Sequence, residues 1–310
     1  MSAQITHVLP WTTEAIAEAA RLILAGQTVA MPTETVYGLA ADATNGEAVA
    51  RIYAAKGRPG FNPLIVHVAD AMQAALFASF DDEANALAAR HWPGPLTLVL
   101  PLRPDSPIAS LVSAGLPTIA VRAPAHPAMR ALIQAVGRPL AAPSANASGR
   151  ISPTRAAHVL SSLGGRIALI VDAGPTAHGI ESTIVAATGG GLRLLRPGPI
   201  DLGLAIARDG GIEAPGQLAS HYAPAKPVRL DALAAREDEW LIGFGSISGH
   251  ASLSISGDLV EAAANLFEKL HQAEAAPQSG IAVAPIPDQG LGAAINDRLR
   301  RAAAPRREME

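Results

Sequence analysis

Hydrophobic and polar positions alternate along this chain with two periods, one typical of helices and one typical of strands. Apolar residues spaced three to four apart, framed by capping residues and by glycine or proline, predict helices over residues 12–25, 44–56, 70–80, 82–91, 125–136, 152–163, 201–208, 258–271 and 291–303. Short β-rich runs bounded by turn residues predict strands over residues 28–31, 63–68, 96–100, 118–122, 139–142, 166–171, 184–187, 192–195, 240–244 and 281–284. Some strands are separated by helices and others are consecutive, which favours an α/β fold with a mixed sheet.

The same pattern divides the chain into three parts. Residues 1–208 hold most of the predicted strands and form a first domain. Residues 209–227 are punctuated by glycine and proline and predict a linker, and residues 228–310 repeat a smaller α/β pattern. His221 and Tyr222 stand side by side in the linker. A simple spacer needs neither side chain, so we expect the linker to contribute to function.

Composition narrows the class of protein. Hydrophobic residues make up 49% of the 310 residues and charged residues 16%, which allows a large core and argues against global disorder. The formal net charge of −3 argues against a protein that coats nucleic acid through bulk charge. With no cysteine, disulfides, thiolate metal sites and cysteine nucleophiles are excluded. We see no signal-peptide pattern and no apolar run long enough to cross a bilayer, so we expect a cytoplasmic protein without membrane contact.

Polar side chains collect where predicted strands end. The loop after the strand 28–31 carries two threonines, a glutamate and a tyrosine within residues 32–38. Cations recur in similar places, at Lys56, Arg58, Arg122, Arg150 and Arg196. Small donors stand beside them, namely Thr35, Thr118, Ser144, Asn146, Ser148, Ser152, Ser182 and Thr183. Arginine forks grip carboxylates or phosphates while hydroxyl groups fill the gaps, so this set suits a polyanionic ligand.

Further local patterns refine this interpretation. Ser152 and Pro153 match the N-cap and first position of a helix, whose N-terminus would add an anion site. Phosphate loops, dinucleotide fingerprints, zinc-protease helices and nucleophile elbows are absent from the sequence. The residues alone therefore indicate an α/β enzyme that binds a nucleotide or another polyanion and acts by positioning and charge neutralisation.

Five motifs occur in order along the chain: Pro-Thr-Glu-Thr-Val-Tyr-Gly-Leu (32–39), Lys-x-Arg (56–58), Ser-x-Asn (144–146), Glu-Ser-Thr-Ile (181–184) and Leu-Arg-Pro-Gly (195–198). Together they resemble the YrdC-type threonylcarbamoyl-AMP synthase family over residues 10–208. The His-Tyr-x-Pro sequence of the linker and the trailing α/β pattern are similar to the two-domain, long form of that family. The resemblance implies a twisted open mixed sheet of the YrdC type with a deep basic cavity, followed by a smaller Rossmann-like α/β domain.

The resemblance also implies an enzyme that makes L-threonylcarbamoyladenylate and diphosphate from L-threonine, bicarbonate and ATP. The implied L-threonine ligands are Thr35, His67, Arg122, Ala142 through its backbone, and Ser182. The implied ATP ligands are Lys56, Arg58, Asn62, Thr118, Ser144, Asn146, Ser152, Arg196 and Tyr222, with His221 beside Tyr222 in the linker. Lys56 and Arg58 would be the catalytic pair that offsets the triphosphate charge. Mg²⁺ would arrive on the ATP phosphates, and no dedicated metal ligands are expected in the protein.

The implied product feeds threonylcarbamoylation of the adenosine next to the anticodon in certain tRNAs. The expected partners are therefore the downstream tRNA threonylcarbamoyl-transfer machinery and, at most, a weak contact with RNA. One alternative stays open, a non-catalytic RNA-binding relative of the same fold, whereas a carbamoyl-transfer module of the hydrogenase-maturation type is set aside. The acidic net charge and the retained Lys-x-Arg and Ser-x-Asn motifs count against the first, and the lack of cysteine-rich zinc segments counts against the second.

Overall fold

The computed structural model describes residues 5–207 and 211–305. Its larger sheet has ten strands in the order β1-β8-β2-β3-β7-β4-β6-β5-β9-β10, with both parallel and antiparallel neighbours. These strands are β1 (His7–Pro10), β2 (Val29–Met31), β3 (Gly38–Asp42), β4 (Ile65–His67), β5 (Leu96–Pro101), β6 (Thr118–Arg122), β7 (Leu140–Ala141), β8 (Leu169–Asp172), β9 (Thr183–Ala187) and β10 (Leu192–Arg196). The predicted mixed α/β sheet is confirmed.

Seven helices accompany this sheet in the described residues: α1 (Thr13–Leu24), α2 (Gly46–Lys56), α3 (Ala71–Ala74), α4 (Asp82–His91), α5 (Ser110–Ser113), α6 (Pro127–Val136) and α7 (Ala156–Leu163). Alternation along the strands separates two faces, because successive side chains point to opposite sides. Ala30 joins the core beneath α2, α4, α5 and α7, while its neighbours Val29 and Met31 join the core beneath α1 and α6.

The face that carries α1 and α6 is only half covered by helices. Towards β5 and β9 it continues as a small apolar cluster that includes Ile65, Ala120 and Ile184. The linker residue Ala214 belongs to the same cluster and is fully buried. This face of the sheet is therefore covered by α1 and α6 over one half and by the linker near β5 and β9 over the other.

The second part of the chain forms a four-stranded parallel sheet in the order β11-β14-β12-β13. Its strands are β11 (Val228–Arg229), β12 (Glu239–Gly243), β13 (Ala251–Ser252) and β14 (Gly280–Val283), and its helices are α8 (Leu259–Ala275) and α9 (Leu291–Ala303). Val36, Ile151 and Ile180 from the first part share a hydrophobic cluster with Phe267 of α8. The two sheets therefore do not have fully separate cores.

Several sequence-based expectations are wrong in detail. The helix predicted from Ser152 begins at Ala156 instead, because the Ser152 hydroxyl donates to the Glu181 carboxylate rather than capping a helix. The anion site expected at that helix N-terminus is therefore not formed. Residues 201–207 form no helix, since Ala207 donates its backbone N–H to the carbonyl of Leu194 at 2.8 Å.

One predicted helix is shorter in the structure, one strand is additional, and the predicted domain boundary lies outside the described residues. The helix predicted over residues 70–80 is a single turn, Ala71–Ala74, and β3 is an additional strand of small residues. Residue 208 and the predicted boundary between residues 208 and 209 lie outside the described residues, so the domain limits stay a prediction. No helix within residues 5–207 and 211–305 combines the length and apolar character needed to span a bilayer.

Candidate functional site

The loop between β2 and β3 forms one wall of the site, and its internal hydrogen bonds fix its shape. Oγ1 of Thr33 accepts from the backbone N–H groups of Thr35 and Val36, both at 3.2 Å, and donates to the carbonyl of Val36 at 2.6 Å. The Tyr37 hydroxyl donates to the carbonyl of Gly174 at 2.7 Å and anchors the end of the loop. Thr35 is therefore presented by a rigid segment.

A buried ion pair joins this loop to the end of β6. Nη2 of Arg122 lies 2.5 Å from Oε1 of Glu34, and the two side chains are only 4% and 9% exposed. Arg122 also donates from Nη1 to Oγ1 of Thr35 at 2.9 Å and from Nε to the carbonyl of Gly94 at 3.2 Å. Burial alone would raise the pKa of the Glu34 carboxyl, but the Arg122 charge and hydrogen bonds lower it to about 2. The Glu34 carboxyl is therefore ionised at neutral pH.

His67 ends β4 beside Arg122 in the parallel register of β4 and β6. Burial and the nearby Arg122 charge lower the pKa of His67 to about 3, so its ring is neutral at pH 7. Nδ1 of this ring is buried and has no hydrogen-bond partner in the described part of the chain. A buried ring nitrogen of this kind suits a polar ligand group, because buried polar atoms are normally paired.

Lys56, in the last turn of α2, holds a neighbouring loop. Its Nζ donates to the carbonyl of Ser144 at 2.6 Å and to the carbonyl of Asn146 at 2.5 Å. Burial, followed by the charge of Arg58, lowers the pKa of Lys56 well below its usual value. Lys56 therefore fixes the loop that presents Ser144.

Arg58 enters the site because Gly57 ends α2 in the left-handed conformation, with φ of 59°. Nε of Arg58 donates to the carbonyl of Asn62 at 3.1 Å, and Nη2 donates to the carbonyl of Pro63 at 2.8 Å. Burial lowers the pKa of Arg58 to about 10. The guanidinium is therefore still charged at neutral pH.

Arg196 ends β10 on the opposite side of the site. It donates from Nε to the carbonyl of Ser182 at 3.0 Å, from Nη2 to the Ser182 hydroxyl at 3.1 Å, and from Nη1 to the carbonyl of Pro215 at 3.4 Å. Neither Arg58 nor Arg196 forms an ion pair with a carboxylate among the residues that the structure describes. Their neutral acceptors leave both positive charges available to an anionic ligand.

The linker covers this site with two aromatic residues and a glycine. Tyr222 is 1% exposed and has φ of +60°, and its ring meets the His221 ring edge-on at 4.1 Å between centroids. Gly216, with φ of +86°, is the linker residue that packs against Arg196 at the end of β10. A Cβ atom at this position would come within 2.6 Å of the Tyr222 hydroxyl and 3.0 Å of Nη1 of Arg196. Only glycine fits there without moving one of these groups.

These groups surround one cavity of about 40 Å³. The predicted site residues in its lining are Thr35, Arg58, His67, Arg122, Ala142, Ser144, Ser182, Arg196 and Tyr222, together with His221. One water molecule takes about 30 Å³ in the liquid, and pockets for small-molecule ligands measure about 300–1,000 Å³. With the linker in this position, the cavity is much smaller than a typical pocket for a small-molecule ligand.

Five predicted site residues lie outside this lining: Lys56, Asn62, Thr118, Asn146 and Ser152. Asn146 donates its amide to the carbonyls of Ala147 and Arg150, so it shapes its own loop, and Arg150 is exposed. Ser152 donates to the Glu181 carboxylate, as described above, and Asn62 supplies a carbonyl to Arg58.

Thr118 lies at the start of β6, four positions before Arg122. Residues four apart on a strand share a face and are separated by about 13 Å. Ala120, between them, belongs to the apolar cluster that includes the linker residue Ala214. Thr118 is therefore on the same sheet face as Arg122 but at the opposite end of the strand from the cavity.

The sequence interpretation gave no role to the two carboxylates in the site, Glu34 and Glu181. A signal existed for Glu34, because a buried strand-end arginine requires an anion and Glu34 adjoins a predicted ligand, Thr35. Glu181 belongs to the Glu-Ser-Thr-Ile motif, but no local pattern indicates its partner. Its partner is Arg298 of α9, at 3.0 Å, which comes from the other part of the chain.

Comparison with known proteins identifies the family. Residues 21–198 match a family model of Sua5, YciO and YrdC proteins described as telomere recombination, and residues 180–304 match the C-terminal domain of threonylcarbamoyl-AMP synthase. The threonylcarbamoyl-AMP synthase of Bacillus subtilis is 40% identical, with 97% of this chain and 96% of that protein covered. The enzyme of the same name from Pyrococcus abyssi is 39% identical, with 92% of this chain and 93% of that protein covered.

Solved structures agree with this assignment. The crystal structure of P. abyssi Sua5 complexed with L-threonine superimposes with a TM-score of 0.88 at 37% identity, covering 97% of this chain and 98% of that chain. The family resemblance predicted from the five motifs is confirmed. The chain therefore belongs to the Sua5 and YrdC family of threonylcarbamoyl-AMP synthases.

Proposed function

We propose that this protein is an L-threonylcarbamoyladenylate synthase that converts L-threonine, bicarbonate and ATP into threonylcarbamoyl-AMP and diphosphate. The observation that carries the proposal is the convergence of Arg58, Arg122 and Arg196 on one cavity beside the neutral ring of His67. Three guanidinium groups in one small space favour a ligand with several negative charges. Family membership supports the same reaction.

The threonine end of the site is built around Arg122. Its guanidinium faces the amino-acid carboxylate, while Glu34 and Thr35 hold it from the protein side. The unpartnered Nδ1 of His67 offers a further polar contact. The proposed threonine ligands are Thr35, His67, Arg122, Ala142 through its backbone, and Ser182.

The nucleotide end is built around Arg58 and Arg196, whose present partners are neutral oxygens. Phosphate oxygens would replace these acceptors and form stronger, charge-assisted hydrogen bonds. Lys56 contributes its charge and fixes the loop that carries Ser144. The proposed ATP ligands are Lys56, Arg58, Asn62, Thr118, Ser144, Asn146, Ser152, Arg196 and Tyr222.

In the chemical step the threonine nitrogen forms a bond to the carbon of bicarbonate, water leaves, and a carbamate results. A carbamate oxygen then attacks the α-phosphorus of ATP as the bond to diphosphate breaks. No side chain is needed as a nucleophile. The arginines favour the carbamate anion and the departing diphosphate, and the rigid loops align the reacting groups.

Mg²⁺ carried on the phosphates would withdraw charge from them. Glu181, the carboxylate in the lining, already pairs with Arg298, and Glu34, just outside the lining, pairs with Arg122. Mg²⁺ commonly keeps water and phosphate oxygens as its main ligands. The cavity is therefore compatible with an ion that enters as part of the substrate.

The proposed reaction takes place in the cytoplasm and supplies the machinery that transfers the threonylcarbamoyl group to tRNA. The product is a mixed anhydride of a carbamate and AMP, which water hydrolyses readily. Shielding by the closed linker would limit this loss, because excluding water from a site prevents side reactions.

The test is an omission series that measures diphosphate release from ATP. We expect release only when threonine and bicarbonate are both present. Arg58→Gln should abolish the signal, whereas Arg103→Gln should keep it, because Arg103 forms an exposed pair with Asp105 at 3.2 Å. Equal release with serine or without any amino acid would contradict the proposal.

A further inference from the structure

Arg298 belongs to α9 in the second part of the chain, yet it is the largest fully buried side chain in the described residues. Its helical neighbours Ile295 and Ala302 are also buried, so the guanidinium lies in the apolar stripe of an amphipathic helix. A charge at such a position is unfavourable unless its N–H groups find acceptors. One acceptor of Arg298 is Oδ2 of its neighbour Asp297, at 3.3 Å, and the others lie in loops of the cavity wall.

Three of these hydrogen bonds cross to the first part of the chain. Nε donates to Oε2 of Glu181 at 3.0 Å, Nη2 donates to the carbonyl of Glu181 at 3.2 Å, and Nη1 donates to the carbonyl of Pro197 at 2.5 Å. Glu181 lines the cavity and directly precedes Ser182, and Pro197 directly follows Arg196. One side chain therefore joins the two loops that carry these cavity residues.

The same guanidinium also reaches the linker. Its Cζ atom lies 5.6 Å from the centre of the Tyr222 ring, within the range of a cation–π contact. The other oxygen of Glu181, Oε1, accepts from the Ser152 hydroxyl. Arg298 thus contacts both loops of the cavity wall and also Tyr222, the linker residue that covers the site.

We infer that Arg298 is a positioning residue, through which the second domain sets the spacing of the Ser182 and Arg196 loops and supports Tyr222 without touching substrate. The three bonds leave from three separate nitrogen atoms of the planar fork, Nε, Nη1 and Nη2, and the single nitrogen of a lysine does not reproduce that spacing. The inference deepens the proposed function and rests on it for its kinetic readout. Its structural readout is independent of activity.

The test compares Arg298→Lys with Arg300→Lys in the full-length protein. Arg300 lies on the same helix but is 54% exposed, and it pairs with Asp288 at 2.8 Å. Backbone amide exchange is measured without substrates over residues 178–183 and 196–200. Steady-state diphosphate release then gives kcat and KM for threonine and for ATP separately.

We expect Arg298→Lys to exchange faster than the unaltered protein in both segments and to lose kcat/KM on the order of 100-fold, the scale of a small misplacement of reacting groups. Arg300→Lys should match the unaltered protein in both measurements. Unchanged exchange in both segments of folded Arg298→Lys would overturn the inference. If the unaltered protein released no diphosphate, the proposed function would fail while the exchange result still decided the role of Arg298.

A second variant covers the case in which Arg298→Lys does not fold. Arg298→Met combined with Glu181→Met removes both buried charges together, which proteins often tolerate better than the loss of one partner. We expect this pair to fold and to remain deficient in kcat/KM. Full activity in the folded double variant would show that the fork is dispensable and would overturn the inference.

Discussion

Four buried arginines surround the site, and they differ in the partners that satisfy them. Arg122 and Arg298 face carboxylates, whereas Arg58 and Arg196 donate to backbone carbonyls and a hydroxyl. A carboxylate partner orients the guanidinium and offsets its charge, while a neutral oxygen orients it and leaves the charge available. At the residue scale, Arg58 and Arg196 therefore offer uncompensated charge to an anion, whereas Arg122 offers N–H donors that Glu34 already orients.

Arg122→Lys tests the proposed threonine contact. The lysine keeps a cation near Glu34 but loses the fork that also reaches Thr35. A hydrogen bond to a charged group is worth about 1.5–3 kcal/mol, so we expect the KM for threonine to rise roughly 10–100-fold while the KM for ATP changes little. Diphosphate-release kinetics with each substrate varied in turn measure both.

The control for this variant is Arg138→Lys, which alters a half-exposed pair with Asp42 at 2.7 Å. It should leave both KM values unchanged. A rise of equal size for ATP and threonine in Arg122→Lys would remove Arg122 from a threonine-specific role.

Glu34 makes stability depend on pH. Its folded pKa of about 2 lies below the ordinary value of 4.5, so its contribution is fully present above pH 4.5 and is lost as the pH falls towards 2. The shift corresponds to about 3 kcal/mol. Urea unfolding at a series of pH values should show a flatter decline in the free energy of unfolding for Glu34→Gln across this window.

Glu18→Gln provides the comparison, because Glu18 forms an exposed pair with Arg21 at 2.7 Å. Exposed pairs contribute little to stability, so this variant should keep the steep decline. If the free energy of unfolding of Glu34→Gln fell with pH as steeply as that of the unaltered protein, Glu34 would not be the group responsible.

At the scale of elements, sequence patterns were most reliable where packing and propensity agreed. The strand Thr118–Arg122 and the helix Leu291–Ala303 have the predicted bounds. The predicted helix start at Ser152 failed because a distant glutamate binds its hydroxyl. The strand Gly38–Asp42 was missed because glycine, alanine and aspartate have low strand propensity, and only pairing with β2 and β7 explains it.

The candidate site shows the same division. The predicted residues Arg58, Arg122 and Arg196 all line one cavity. They could be predicted because each lies at the end of a helix or strand that a local sequence pattern reveals. The pairing of Glu181 with Arg298 spans 117 positions and has no local signature. The one available hint was an arginine within the apolar stripe of α9.

The linker can be tested as an element through Gly216→Ala. The added methyl group would meet the Tyr222 hydroxyl and Arg196, so it would displace two of the proposed ATP ligands. We expect the apparent KM for ATP to rise roughly tenfold, equivalent to about 1.4 kcal/mol, with faster proteolysis within residues 211–224. Kinetics and limited proteolysis measure the two effects.

Gly203→Ala is the matched variant, because Gly203 also has positive φ, +66°, but a Cβ there would meet nothing within 4 Å. It carries the backbone strain without the clash. If both variants behaved alike, the close packing of Gly216 would be irrelevant to nucleotide binding.

At the scale of the whole molecule, the two sheets are joined by more than a linker. Ile180 and Ile151 are buried in the cluster that includes Phe267 of α8. His158 of α7 and His271 of α8 stack at 3.8 Å between ring centroids. These contacts, with Arg298, dock the second part of the chain directly behind the cavity wall.

Gly179→Ala probes this docking. A Cβ at Gly179 would come within 2.4 Å of the carbonyl oxygen of Ala264 and 2.5 Å of that of Ala263, both in α8. Overpacking typically costs about 1–3 kcal/mol, and we expect the free energy of unfolding to fall by that much more than in Gly174→Ala. Chemical denaturation of both variants gives the comparison.

Gly174 lies in the same β8–β9 connection and also has positive φ, +78°, but a Cβ there would have open space. The two variants therefore differ in the contact with α8 rather than in backbone strain. Equal losses of stability would mean that the close approach of the two parts at Gly179 carries no energetic weight.

The carbonyl oxygens that occupy Arg58 and Arg196 have a consequence for turnover. Where a phosphate of the proposed substrate took over an N–H group that now donates to a carbonyl, the net gain in affinity would be the difference between a charged and a neutral hydrogen bond rather than the whole bond. After diphosphate leaves in the proposed reaction, the carbonyls of Pro63 and Ser182 would again accept hydrogen bonds from Arg58 and Arg196. We expect this exchange of partners to favour product release at the expense of tight binding.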